Sequence, residues 1–209
     1  MIIPIETGVT FFMASIILAL APGPDNIFVL AQSALHGKAS GLWVTLGLCT
    51  GLIVHTTVVA FGVAVIFQTS AMAFFALKAA GACYLLYLAW LALRASVTQM
   101  DAKETIRLNF GKLYRRGIIM NVTNPKVSIF FLAFLPQFTD PDRGAITLQI
   151  VSLGFLFIVA TMLIFGSIAW LAGTLSKWLN RSDKVQVIMN RVAGCVFAGL
   201  AIKLITTTR

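Results

Sequence analysis

Apolar residues along this chain fall into six runs, roughly 5–34, 41–67, 71–93, 113–135, 146–174 and 190–206, parted by short polar stretches. A helix needs about 20 apolar residues to cross the ~30 Å hydrocarbon core of a bilayer. The pattern therefore predicts an all-α integral membrane protein of six transmembrane helices. The first run is too long for one simple span, since at 1.5 Å per residue it would reach about 45 Å. Pro22-Gly23-Pro24-Asp25 lies in its interior and predicts a break there, because proline removes a backbone donor and clashes with the preceding turn. Ala19-Leu20-Ala21 has the look of a signal-peptide cleavage site. No Lys or Arg precedes Lys38, however, so the segment reads as a retained first span.

Composition agrees. Of 209 residues 59% are hydrophobic and 11% charged, against about 45–50% and 25% in a soluble domain. A secreted domain, a disordered chain and a nucleic-acid binder are excluded on this ground. The net charge of +9 reads as loop charge on the cytoplasmic side. Lys38 follows the first span. Arg94, Lys103, Arg107, Lys112, Arg115 and Arg116 follow the third, and Lys177, Arg181, Lys184 and Arg191 the fifth. The opposite side carries only Arg143, Lys203 and Arg209. This bias puts both termini outside. Cys49, Cys83 and Cys195 lie in apolar runs without zinc-ligand spacing and are expected to be buried free thiols.

A faint internal repeat divides the chain into halves of about 1–104 and 105–209. Pro22 and Pro125 correspond, as do Phe61-Gly62 and Phe165-Gly166, at nearly the same separation. Lys78-Ala79-Ala80-Gly81 resembles Arg191-Val192-Ala193-Gly194. Three spans per half reverse the second half in the membrane, which predicts a 3+3 inverted repeat with spans 1 and 4 broken, an arrangement of transporters.

The chemistry-bearing residues gather at the breaks. In Pro22-Gly23-Pro24-Asp25-Asn26, Gly23 is expected to cap and Pro24 to begin a new half-helix. Asp25 beside unwound backbone marks a site or an ion pair, since a carboxylate in lipid is costly. In Asn121-Val122-Thr123-Asn124-Pro125-Lys126, Asn124 is an N-cap and Pro125 a first helical residue. Lys126 lies near the midplane, as a substrate or coupling group or as a structural partner for a carboxylate or for carbonyls of the break. Gly37, Gly47, Gly51, His55 and Gly62 share an arc of about 80° on span 2, a face for close helix packing. His55 on that face is either a hydrogen-bonded core residue or a proton relay. Lys78 either snorkels outward or pairs with Asp25. Trp43, Trp90, Trp170 and Trp178 read as interfacial anchors.

Pro22-Gly23-Pro24, Gly37-xxx-Gly41 and Gly47-xxx-Gly51, with Asn121 to Lys126, Phe130-Phe131-Leu132 and Pro136-Gln137-Phe138, resemble the lysine exporter (LysE) superfamily, most of all its RhtB branch. The resemblance spans nearly the whole chain. It implies a six-span amino-acid exporter of the bacterial cytoplasmic membrane, commonly driven by proton antiport. A membrane enzyme is not expected, since the sequence has no HExxH or GxSxG pattern and its few embedded polar residues form no acid/base/nucleophile set, and no cofactor is expected. The family motif carries over onto Pro22, Gly23, Pro24, Asn124 and Pro125. The expected mechanism holds a zwitterion between the breaks. The carboxylate sits at the half-helix N-termini after Pro24 and Pro125 with Lys126, and the ammonium at Asp25. Protons are the expected coupling ion, and a homo-oligomer is compatible with the glycine faces. The alternatives are a passive pore and a metal-ion exporter drawing on Asp25, Cys49 and His55.

Overall fold

A computed structural model describes residues 3–69, 71–95, 109–181 and 183–206. The described residues form eight α-helices and no strand. They are α1 (Ile5–Leu20), α2 (Pro24–His36), α3 (Lys38–Thr69), α4 (Ala71–Arg94), α5 (Phe110–Val122), α6 (Pro125–Ile129), α7 (Ile146–Arg181) and α8 (Asp183–Thr206). Helix α6 runs on through a π-helical turn, Phe130–Phe134, into a 3-10 turn, Leu135–Phe138. The expected boundary between halves at residue 104, together with Lys103, Arg107 and Arg209, lies outside the described residues.

Both expected helix breaks are present, and both follow from local chemistry. The Ala21 amide still bonds the Ile17 carbonyl at 3.0 Å. Pro22 and Pro24 then have no N–H to continue the ladder. Gly23 is extended, Pro24 takes the first position of α2, and the two axes bend by 63°. At the second break α5 ends at Val122, and Asn124 caps α6 through a bond from the Lys126 amide to its side chain, at 3.0 Å. Pro125 takes the first position of α6, as Pro24 does in α2, and the bend is 50°.

Among the described residues, the segments Lys38–Gly62 of α3 and Ile146–Ala172 of α7 are each long and apolar enough to cross a membrane. Counting each bent pair as one span raises the number to four. Helices α4 and α8, 24 residues each, pack along one another.

Helix α3 is the centre of the packing, against α2, α5 and α7. Its glycines set the approach. Gly47 lies against the backbone of Tyr114 and Gly117, Gly51 against the Asn121 side chain, and Gly41 against Ser33 and Ala169. Such contacts require the absence of a Cβ. They also give direction. Gly47 and Gly51 meet residues of α5 in ascending order, so α3 and α5 run parallel. Gly41 meets Ala169 while Thr56 meets Gly154, so α3 and α7 run antiparallel.

The expected glycine face needs two corrections. Gly37 is not on α3: it ends α2 in a left-handed conformation, φ 88°, which a side chain would strain. Gly62 is exposed, with nothing within 4 Å of its missing Cβ among the described residues, while Val59 and Ala60 of the same turn are buried. The cysteines need a third. Cys49 is buried, but Cys83 and Cys195 are exposed on α4 and α8, where an apolar run faces its surroundings rather than a core. Three of the four tryptophans make ring or cation contacts. Trp43 stacks on Phe110, and Lys38 and Arg94 lie over the rings of Trp170 and Trp90. The side chain of Trp178 lies outside those described.

Two apolar clusters result. One gathers Phe11, Phe130, Phe131, Phe134 and Phe157, and the other Val29, Val44, Leu48, Leu113 and Phe165. On α7, Thr161 falls between Phe157 of the first and Phe165 of the second. Asp25 precedes Val29 on α2, and Asn121 follows Leu113 on α5, so a polar layer divides the core.

Candidate functional site

The two breaks are tied to each other. Asn124 Nδ2 donates to Asp25 Oδ2 at 2.9 Å. Lys126 Nζ donates to the carbonyls of Leu18 and Ala21, at 3.3 and 3.1 Å. Asn26 Nδ2 donates to the Ala19 carbonyl at 2.7 Å. The last carbonyls of α1, which a helix leaves without intrahelical partners, are thus bonded largely by side chains from beyond each break.

Electrostatics favours the same arrangement. Lys126 faces the negative C-terminal end of α1, and Asp25 stands in the first turn of α2, at its positive end. Gly23 leaves room for the ammonium, since a Cβ there would lie 3.2 Å from Lys126 Nζ. Asp25, Asn124 and Lys126 are all buried.

Several acceptors in this layer remain unused. Asp25 Oδ1, Asn26 Oδ1 and Asn121 Oδ1 are buried without a hydrogen-bond partner, as is Thr161 Oγ1. A buried polar atom left unpaired costs roughly 1–3 kcal/mol. Among the described residues, Asp25 Oδ1 is the carboxylate oxygen left without a donor, although Asn124 holds its partner oxygen.

His55 is brought to the second break. Its Nε2 lies 3.1 Å from the Asn121 carbonyl, and its ring packs on Phe131 at 5.5 Å. A bond to a carbonyl requires the proton on Nε2.

All ten residues singled out from the sequence, Pro22, Gly23, Pro24, Asp25, Asn26, His55, Asn121, Asn124, Pro125 and Lys126, therefore lie at or against the breaks. One expected feature differs. The amides opening α6 are already engaged, that of Lys126 by the Asn124 side chain and those of Val127 and Ser128 by its carbonyl. The start of α2 has no side-chain cap. Among the described residues, Asp25, Cys49 and His55 do not gather into a group of three metal ligands. Sequence reasoning missed Thr161 and Gln32, both buried with unpartnered side-chain atoms. Thr161 stands alone in an apolar stretch and Gln32 adjoins Ser33, and such a polar residue is ambiguous until its neighbours are known.

Known proteins resemble this chain over nearly its whole length. It is 33% identical over 195 residues to the homoserine/homoserine lactone efflux protein of Salmonella typhimurium, covering 92% of each. It is 30% identical over 208 residues to the leucine efflux protein of the same organism, covering 94% of this chain and 93% of that one. An uncharacterized membrane protein of Pseudomonas aeruginosa is 29% identical over 206 residues, with 95% and 94% covered. No solved structure matches significantly. The LysE type translocator family matches residues 16–208, and the chain belongs to that family.

Proposed function

We propose that this protein exports a small amino acid across the bacterial cytoplasmic membrane as a secondary carrier, with its substrate site at the paired breaks. The observation that carries the reading is the buried link between Asn124 and Asp25, whose second carboxylate oxygen has no donor among the described residues. A substrate ammonium has N–H donors to offer that oxygen. The carboxylate is assigned to the uncapped start of α2 beside Gly23 and Lys126. This revises the sequence expectation, which also used the start of α6.

Membership of a family of translocators, and relatives named for homoserine and leucine efflux, support the substrate class. The 3+3 inverted repeat is part of the proposal. It is supported by the two similar bends and by the pairing of α3 with α7 and of α4 with α8, each joining corresponding spans. Alternating access would rock the halves and part the Asn124–Asp25 link. Proton antiport through Asp25 and an orientation with both termini outside complete the reading, the latter on the Lys and Arg bias.

The test is efflux from proteoliposomes loaded with labelled L-homoserine or L-leucine. Saturable efflux that accelerates with an inward proton gradient is expected, and is lost in Asp25→Asn. Non-saturable leakage would instead make the protein a passive pore.

A further inference from the structure

A cavity of about 320 Å³ lies well away from the breaks, where the start of α1, the turn Leu135–Phe138 and the end of α8 meet. That volume is at the small end of the range for ligand sites. Glu6 of α1 and Lys203 of α8 bring opposite charges to its wall, and Thr10 and Gln137 add uncharged polar groups. Phe134 and Phe138 supply an apolar side, and Lys203 Nζ lies 4.6 Å from the centre of the Phe138 ring. Glu6, Thr10 and Lys203 are exposed, so the cavity opens to the surface. An adjoining cavity contains Asp140 and Arg143, which pair with each other at 3.1 Å.

A plug of aromatic rings separates this cavity from the breaks. Phe11 packs on Phe130 and Phe138, at 5.9 and 5.2 Å, and Phe134 packs on Phe130 at 4.8 Å. The order is the same along both elements. Helix α1 presents Glu6 to the cavity, Phe11 to the plug and the Leu18 carbonyl to the break. The other carries Gln137, then Phe134 and Phe130, then Lys126.

We infer that this cavity is a second binding site for a zwitterionic amino acid, with Glu6 receiving the ammonium, Lys203 the carboxylate and the two rings the side chain. A ligand with both charges and a short apolar part matches the three kinds of wall. The inference rests on the export reading only for its role, a station on the outer side of the plug.

The test is calorimetric titration of the full-length protein in nanodiscs of phosphatidylcholine and phosphatidylglycerol, with L-leucine and L-homoserine as probes. Binding is expected to persist in Asp25→Asn and to weaken about tenfold in Glu6→Gln and in Lys203→Gln, the loss of one charged contact. Leucinamide and 4-methylpentanoate, each lacking one charge, should bind as weakly. The exchanged pair Glu6→Lys with Lys203→Glu should recover affinity, which a merely structural role would not produce. Absence of binding in Asp25→Asn, or affinity indifferent to Glu6 and Lys203, overturns the inference. Efflux measured on the same variants judges the export reading separately. Transport without the peripheral site removes this inference alone, and the peripheral site without transport removes the export reading alone.

Discussion

Asn124 and Asp25, 99 positions apart in the chain, meet at 2.9 Å within the buried core, and their bond joins the two broken helices. A neutral donor thus holds one oxygen of a carboxylate whose other oxygen has no partner.

That bond should show energetic coupling. A double-mutant cycle of Asp25→Ala and Asn124→Ala, read by thermal unfolding in detergent, is expected to give a coupling of about 1–3 kcal/mol. Additive effects would mean the two breaks are not joined in this way.

Lys126 should matter for stability as well as transport. Lys126→Met leaves the Leu18 and Ala21 carbonyls without their donor, at a cost of roughly 2–4 kcal/mol. Unfolding of this variant at the wild-type midpoint would show that the carbonyl bonds contribute nothing.

The glycines of α3 separate cleanly. Gly47→Leu places a side chain against the backbone of Tyr114 and Gly117 and should prevent folding, while Gly62→Leu enters open space and should be tolerated within about 0.5 kcal/mol. Yields of folded protein by size-exclusion chromatography check both.

For His55, the bond to the Asn121 carbonyl points to a positioning role. His55→Gln retains a donor and should keep at least about half of the efflux rate, whereas His55→Ala should destabilise the protein by about 1–3 kcal/mol. Loss of proton coupling in a stable His55→Gln protein would assign it a relay instead.

The sequence alone determined what depends on local chemistry. Apolar runs specify membrane helices because transfer of apolar surface is a property of each segment. Pro22, Pro24 and Pro125 specify breaks because a missing N–H acts on its own turn. Tertiary structure decided the partners. Which carbonyls Lys126 reaches, whether Gly62 packs or stands free, and which polar atoms go unpaired all depend on which helices lie side by side and in what register. Helical periodicity could place Gly37 and Gly62 on one arc, but only the placement of the neighbouring helices determines how much of that arc is covered.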